Sequence, residues 1–393
     1  MLEIILANFG FWFNFLVPVV IALFLALTHR EYIWKEFAIQ VVATLAYVAV
    51  IYTLLFSVTT DIWDTNYFNG KVASSTYYEE WDEEVTYTES YSCGTSKNPR
   101  TCTRTKTRID HHPAYYQIKT NLGETIPISR GDYLKAKREF GTKFVNISRS
   151  NQVSFGDGDK YVSRPNKTIP TAVGHTYENL VAVAKDNVIH TKVPKEEIQQ
   201  LLKVGVLREY PRLYEGKYGE TKLNRIIDTT GRIKNPNEQL DILNHIATKV
   251  GITKQANPIL YVVDSEKYDR SFKDALSQYW KMGKKNDITL VVGVDKKGII
   301  QWSDVICFTN NTDFIIDMQN TFKDVPVNDP AVLMNMQYHI NKSYIRKPMK
   351  EFEYLKENIT LEWYWQLLIF IGNVILSGFI TWKFLTNWER KRW

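Results

Sequence analysis

The chain has 393 residues, a formal net charge of +6 and a mean hydropathy of -0.28. This mean is too polar for a multi-span transporter, because roughly 300 residues between positions 61 and 360 outweigh the apolar segments. No stretch interleaves basic and aromatic residues as nucleic-acid-binding surfaces do, so we expect no nucleic-acid partner.

Three apolar segments, residues 9–28, 37–60 and 363–385, predict three transmembrane helices. Each is close to the roughly 20 residues that cross the hydrocarbon layer as a helix, and only Lys383 in the third carries a charge. A cleaved signal peptide is the alternative for the first segment, but Met1-Leu2-Glu3 supplies no positive start and no small-residue cleavage site follows. A buried globular helix is the other alternative.

Basic residues near the segments predict their orientation. The turn at 29–36 carries two of them and the tail at 387–393 carries three, so the positive-inside rule places both in the cytoplasm. The short N-terminus, which carries only Glu3, is then outside, and residues 61–360 are extracytoplasmic. We therefore expect a multi-pass protein of the inner (plasma) membrane, with the lipid bilayer as one partner and a periplasmic soluble region.

Two of the three cysteines, Cys93 and Cys102, flank a turn-rich loop between two segments that alternate like strands. In an oxidising compartment this spacing suits a disulfide that closes a hairpin. A metal site with His111 and His112 is the alternative, although no Cys-x-x-Cys or His-x-x-x-His spacing is present. Cys307 follows an apolar run and is expected to be a buried free thiol.

Residues 61–192 are rich in Thr, Tyr, Ser and Val with frequent breaks, which predicts a β-rich extracytoplasmic domain. A helix is expected at 129–140, with Ser129 as its cap. The segment 155–159, with alternating Asp and Gly, is either a calcium loop or a plain solvated turn.

Residues 193–360 alternate between helical and strand patterns, which predicts an α/β domain. Helices are expected at 194–204, 235–250 and 268–282, with Gly251 ending the second; strands are expected at 258–263, 287–294 and 299–305, the last two as a hairpin; further helices begin near Asp313, Asp329 and Lys347. The predicted fold class is thus α+β. Two transmembrane helices lie in residues 1–60 and the third in residues 361–393, and the β-rich and α/β domains lie between them.

Trp280, Gly283, Lys284 and Asp287 form the pattern W-x-x-G-K-x-x-D before an apolar strand. This pattern resembles the signature of the TPM family, named after a thylakoid protein, a photosystem repair factor and a nematode receptor modulator. The resemblance covers about residues 240–336 and implies a compact α/β/α domain held outside the membrane by a neighbouring helix. By themselves, the same residues also suit a core tryptophan, a helix-ending glycine and a solvated turn.

Some TPM proteins are described as phosphatases and others as calcium binders with acidic residues at strand ends. The resemblance therefore implies a metal site formed by Asp264, Asp287, Asp295 and Asp304, with calcium as the ion, since carboxylates gathered at one edge of a sheet suit a hard cation. After the hairpin, however, the chain lacks the acidic, glycine-rich segment usual in the family. Metal binding and hydrolysis then depend on whether these four carboxylates converge.

The chain has no nucleophile elbow, P-loop, dinucleotide fingerprint or HExxH helix, which weighs against an enzyme. Three hypotheses follow. The protein is an interaction or assembly module that binds a membrane or envelope protein, a calcium-dependent phosphatase of TPM type, or an accessory subunit of a membrane complex. The last would use small and polar residues within the apolar segments to pack on partner helices. These residues are Asn14, Pro18, Gly372, Asn373, Ser377 and Gly378.

Overall fold

The computed structural model describes residues 2–28, 34–95, 98–153, 158–184 and 191–391 of a mixed α+β protein with several sheets. The helices are α1 (Leu2–Ala7), α2 (Phe9–Phe13), α3 (Leu16–Thr28), α4 (Trp34–Thr59), α5 (Arg130–Phe140), α6 (Leu180–Val183), α7 (Lys195–Val204), α8 (Pro236–Lys254), α9 (Phe272–Tyr279), α10 (Thr312–Asn320), α11 (Pro330–Ser343), a 3₁₀ helix (Met349–Asn358) and α12 (Trp363–Lys391). The strands are β1 (Trp63–Tyr78), β2 (Trp81–Ser92), β3 (Thr101–His112), β4 (Tyr115–Thr120), β5 (Thr125–Pro127), β6 (Lys143–Val145), β7 (Lys160–Ser163), β8 (Pro170–Glu178), β9 (Leu213–Glu215), β10 (Thr221–Leu223), β11 (Ile226–Asp228), β12 (Asn257–Asp264), β13 (Asp287–Val294) and β14 (Ile300–Cys307).

Strand β1 is the centre of the β-rich half. Its first part pairs with β8 and its second part with β4 and β7, all antiparallel, and β5 and β6 extend the sheet on either side. Helix α5 covers this sheet, and Ser129 caps it by accepting a hydrogen bond from the Asp132 amide at 3.2 Å, as the sequence predicts. The strands β2 and β3 leave the sheet as a separate two-stranded hairpin.

The α/β half contains a four-stranded sheet in the order β11-β12-β13-β14, in which β14 alone runs antiparallel to its neighbour. Alternate residues of β12 and β13 point to opposite faces. Leu260, Val262 and Leu290 enter a core with α8, α10 and α11. Ile259 and Tyr261 enter a second core with α7 and α9. Helices therefore cover both faces of the sheet, while β11 was not expected from the sequence.

Helix α8 does not end at Gly251, contrary to the sequence prediction; it continues to Lys254 and stops at Gln255, whose φ is 54°. A Cβ atom at Gly251 would lie 2.6 Å from the carbonyl oxygen of Asn69 in β1. Glycine is required here by the close approach of α8 to β1, and not by a helix end.

Two helical stretches, Phe37–Thr59 in α4 and Trp363–Phe384 in α12, are long and apolar enough to cross a membrane. In the 18-residue apolar window of each stretch, only 22% and 17% of the residues are buried in the protein. Large apolar side chains such as Val42, Val58, Ile375 and Phe379 are more than half exposed, which is unlike the core helix of a soluble domain.

The first apolar segment, expected as one span, is divided between α2 and α3, and its longest candidate stretch is Phe9–Ile21. Pro18 explains the break, because it has no N–H to donate to the carbonyl of Asn14 four residues earlier. Instead, Asn373 of α12 donates its Nδ2 to that carbonyl at 2.8 Å. A side chain from another helix thus replaces the missing hydrogen bond.

The N-terminal residues contact the chain segment that precedes α12. Glu3 pairs with Lys356 of the 3₁₀ helix at 2.6 Å, and Asn8 donates to the carbonyl of Ile359 at 3.2 Å. The described part of the chain does not include residues 29–33 of the charged turn between α3 and α4. It also does not include the side chains of residues 34–36 and those of the tail from residue 387.

Candidate functional site

The sheet does not bring the four predicted carboxylates together. Asp264 ends β12 and Asp295 follows β13, so these two lie at one edge, whereas Asp287 begins β13 seven residues before Val294, the partner of Asp264, and roughly 23 Å from it. Asp304 lies within β14, opposite Val291. Among the described residues, no group of three or more His, Cys, Asp or Glu side chains is arranged to hold a metal ion. The prediction that all four meet at one edge is wrong, because β13 separates its own two aspartates.

Each of these carboxylates has a structural partner. Asp264 accepts from Arg232 at 3.2 Å, and Asp295 closes its turn by accepting from the amides of residues 297 and 299. Burial raises the pKa of Asp264, but hydrogen bonds from the Glu266 amide and Arg232 outweigh burial and hold that pKa below its ordinary value. Asp304 pairs with Lys273 at 3.2 Å.

The Trp280–Asp287 segment joins the α/β half to β1. The Trp280 indole donates to the carbonyl of Arg208 at 2.8 Å, and Gly283 has a φ of 75°, a left-handed value that favours glycine. Lys284 forms an ion pair with Asp64 at the start of β1, and its amide donates to Asp287 at 2.7 Å. Of the four pattern residues, Lys284 thus contacts the other half of the protein, whereas Trp280 and Asp287 bond within the α/β half.

Asp287 is 1% exposed and is held in a network of buried polar side chains. It accepts from Asn257 at 2.7 Å and from the hydroxyl of Tyr210 at 2.9 Å. Arg225, also 1% exposed, donates to Asn257 and to Asn69 of β1. Burial raises the pKa of Asp287 to about 6 and lowers that of Arg225 to about 10.

We call this set the joint: Asn69, Tyr210, Arg225, Asn244, Asn257 and Asp287. Arg225 also donates to Asn244 at 2.9 Å, so its guanidinium contacts three asparagine side chains. Because buried polar groups are costly unless bonded, such a network favours one arrangement of the two halves. In the joint the carboxylate of Asp287 accepts hydrogen bonds from Tyr210, Asn257 and the Lys284 amide.

The β2–β3 hairpin is the second candidate site. Twelve consecutive residue pairs join its strands, from Trp81 opposite His112 to Ser92 opposite Thr101, and the Cys93–Cys102 disulfide closes its tip. Residues 151–153 bond to β2 only near its base, at Asp82 and Glu84. Within the described residues, no backbone hydrogen bond from another element reaches the hairpin beyond Glu84.

The two faces of the hairpin differ in chemistry. Directly opposite residues of an antiparallel pair lie on the same face. One face, which we call the hydroxyl face, consists beyond its base of four opposed Thr or Ser pairs: Thr86 and Thr107, Thr88 and Thr105, Ser90 and Thr103, Ser92 and Thr101. The other, the tyrosine–arginine face, carries the remaining distal residues: Val85, Tyr87, Glu89, Tyr91, Cys102, Arg104, Lys106 and Arg108.

The tyrosine–arginine face is exposed, and beyond Glu84 it carries three cations and one carboxylate. Tyr87 and Tyr91 are 39% and 42% exposed, and the guanidinium groups of Arg108 and Arg104 lie over their rings at 5.9 and 5.2 Å. Glu89 pairs with both Arg104 and Lys106 at 2.7 Å, and Arg108 pairs at 2.9 Å with Asp110, which lies on the same side of the hairpin nearer its base. Tyrosine and arginine are the residue types that most often dominate binding at protein interfaces.

The hairpin confirms the disulfide and excludes the alternative metal site. Cys102 and His111 lie nine residues apart on the same strand, roughly 30 Å, and His111 and His112 point to opposite faces. His111 instead contacts Asp82 at 2.7 Å, and His112 contacts Glu83 at 2.9 Å. Cys307 is free and only partly buried. Most of the proposed calcium loop at 155–159 lies outside the described residues, and Asp159 bonds to the Ile147 amide.

The tyrosine–arginine face was missed in the sequence, although its signal is present there. Tyr87, Glu89 and Tyr91 alternate with hydroxyl residues, as do Arg104, Lys106 and Arg108. Only the register shows that both sets share one face. Comparison of the chain with protein-family models, with curated proteins and with solved structures found no match.

Proposed function

We propose that this protein is a membrane-anchored interaction module of the cell envelope, in which the β2–β3 hairpin binds an acidic surface on a partner protein. The observation that carries the proposal is the exposed tyrosine–arginine face on a hairpin whose two strands pair with no other sheet in the described part of the chain. Beyond Glu84 its cations exceed its carboxylates, and Arg104 and Lys106 share the single carboxylate of Glu89, which favours an anionic partner surface.

Anchoring by α2–α3, α4 and α12 as three spans is part of this proposal. The outward-facing apolar side chains of α4 and α12 support it, and the disulfide supports an oxidising compartment outside the cytoplasm for residues 61–360. The ion pair of Glu3 with Lys356 is consistent with an N-terminus on the same side. We also propose that residues 193–360 form a TPM-like domain, supported by the W-x-x-G-K-x-x-D pattern and a sheet with helices on both faces.

The other two hypotheses have less support. A calcium-dependent phosphatase needs convergent carboxylates, and the four candidates are dispersed and already bonded. For an accessory subunit, the polar and small residues of the helices would face outward. Asn14 and Asn373 instead bond within the bundle, and a Cβ at Gly372 would meet the Tyr47 hydroxyl; of the six, Gly378 alone has open space around it.

Site-specific photocrosslinking in native membranes tests the partner proposal. A photoreactive residue at Tyr87 is expected to give a discrete protein adduct, whereas one at Thr88, on the opposite face of the same strand, is not. The double variant Arg104→Gln, Lys106→Gln should reduce the Tyr87 adduct at least about tenfold, because charge-assisted contacts are lost. The matched control is Thr103→Gln, Thr105→Gln. Equal adducts from both faces, or no adduct from either, would contradict the proposal.

Topology is tested separately in intact cells. In a Cys307→Ser background, a membrane-impermeant maleimide should label Cys93 and Cys102 only after reduction, and without lysis. Labelling that requires lysis would overturn the extracytoplasmic placement.

A further inference from the structure

A cavity of about 330 Å³ lies between the start of β1, α6 and the Trp280–Asp287 segment. Asp61 and Trp63 in its wall follow Thr59, the last residue of the apolar stretch of α4, by two and four residues. A chain spans at most about 3.6 Å per residue, so Trp63 is within roughly 14 Å of the end of that stretch. Helix α6, which also lines the cavity, packs on the 3₁₀ helix that leads to α12. The cavity therefore lies at the level expected for lipid headgroups.

The walls combine both signs of charge with aromatic rings. Three carboxylates, those of Asp61, Asp64 and Glu209, face two lysines, Lys281 and Lys284, and the remaining surface includes Trp63 and Trp280. Because carboxylates outnumber cations, a purely anionic ligand does not match this cavity. A ligand that carries an ammonium group as well as a phosphate does, since indole rings and carboxylates attract the first and lysines the second.

Two of the charged groups are available to a ligand. Asp64 is occupied by Lys284 and Asn179, and Glu209 is bonded by Arg212 at the rim. Lys281, in contrast, makes no ion pair or hydrogen bond through its side chain within the described part of the chain, and Asp61 accepts only from the Trp63 amide at 3.2 Å. The cavity thus presents one unpaired ammonium and one carboxylate that bonds only a backbone amide.

The backbone holds Lys281 at the cavity in an unusual conformation. Lys281 and Met282 have φ values of 52° and 70°, and Gly283 follows at 75°. A left-handed conformation costs a non-glycine residue about 1 kcal/mol or more. Hydrogen bonds from the Met282 amide to Ser277 at 2.7 Å and from the Gly283 amide to Trp280 at 3.0 Å maintain it. Lys281 is therefore presented by a fixed turn and not by a freely moving loop.

We infer that this cavity binds the zwitterionic headgroup of a phospholipid, with Lys281 contacting the phosphate, and Asp61 together with the Trp63 ring contacting the ammonium group. This inference rests on the proposed membrane anchoring. It adds a lipid preference to that anchoring, and it gives Lys281 and Asp61 a binding role that neither the joint nor the hairpin requires.

Binding can be measured on the full-length protein in mild detergent, with phosphatidylethanolamine and phosphatidylglycerol as the probes. Phosphatidylethanolamine should raise the melting temperature and bind at least about tenfold more tightly than phosphatidylglycerol, because only the first carries an ammonium group. Soluble glycerophosphoethanolamine serves as the second arm. If this compound competes at concentrations similar to those of the lipid, the site recognises the headgroup alone. If the site faces the bilayer, phosphatidylethanolamine should bind more tightly than this soluble compound.

Lys281→Ala and Asp61→Asn should each weaken phosphatidylethanolamine binding about tenfold or more, and Lys281→Arg should retain it. Lys297→Ala, which removes an exposed lysine in the β13–β14 turn, is the control. Equal binding of both lipids, or unchanged binding in Lys281→Ala and Asp61→Asn, would overturn the inference. Flotation with vesicles separates the two proposals: a protein that floats without lipid preference retains its anchoring, and a protein that does not float lacks both.

Discussion

The joint and the hairpin use similar polar residues in opposite environments. In the joint, Arg225 and Asp287 are almost fully buried, and each is bonded by several side chains. On the hairpin, Arg104 and Arg108 keep more than half of their side-chain surface exposed while they lie over tyrosine rings. A buried network of this kind specifies how two halves fit together, whereas an exposed one remains available to another molecule. The position of a charge, more than its type, therefore separates the architectural centre from the candidate binding surface.

The largest expected effect comes from breaking the joint. Arg225→Met removes the guanidinium that donates to three asparagine side chains. The buried asparagine oxygens then lack this donor, and the free energy of unfolding should fall by about 4 kcal/mol. Denaturant titration of the full-length protein in detergent measures it. Arg212→Met, at a site with 81% side-chain exposure, should change this free energy by less than about 0.5 kcal/mol. Similar values for both variants would show that the network does not hold the halves together.

Acid should stabilise the joint through Asp287. Its pKa is raised from 3.8 to about 6 in the folded protein, so its contribution is complete below about pH 4 and is lost as pH rises through 6. The unfolding free energy of the wild type relative to Asp287→Asn should therefore fall by about 3 kcal/mol between pH 4 and pH 7.

Asp269 provides a control of opposite sign. Hydrogen bonds from the Ser271 side chain and amide lower its pKa, so the contribution of Asp269 is lost as pH falls. The wild type relative to Asp269→Asn should gain stability with rising pH. If the difference in unfolding free energy between the wild type and Asp287→Asn does not change with pH, the pKa of Asp287 is not raised by burial.

Removing the disulfide should affect the hairpin and spare the joint. In Cys93→Ser, Cys102→Ser, the local opening free energy of the tip should fall by about 3 kcal/mol, because a short loop is no longer closed. Hydrogen exchange should accelerate at the amides of Tyr91 and Thr103 and stay unchanged at Leu290 in β13. Faster exchange at all three would mean that the hairpin supports the whole fold.

The smallest effect is expected within the helical bundle. Asn373→Leu leaves the Asn14 carbonyl with only the long 3.4 Å hydrogen bond from the Val17 amide and should cost about 1 kcal/mol, measured by thermal unfolding in detergent. Pro18→Ala restores a backbone N–H that can donate to the same carbonyl, so the double variant should regain most of this loss. Additive effects of the two substitutions would contradict the assigned role of Asn373.

The amino-acid sequence by itself determined the local elements. The lengths of the second and third apolar segments, the cap at Ser129 and the apolar runs of β12 and β13 predicted helices and strands close to those observed, because these signals act over a few residues. It also placed Cys93 and Cys102 in a hairpin. The two apolar stretches of α4 and α12 follow directly from composition.

Only the tertiary structure decided which of these elements meet. The parallel register of β12 and β13 places Asn257 beside Asp287 and Asp264 opposite Val294, at the other end of the sheet from Asp287. The role of Gly251 depends on β1, which is distant in the chain, and the carbonyl of Asn14 is bonded by a residue 359 positions away. The tyrosine–arginine face likewise exists only once β2 and β3 pair in register. Such contacts arise from packing between remote segments, for which a single sequence carries no local signal.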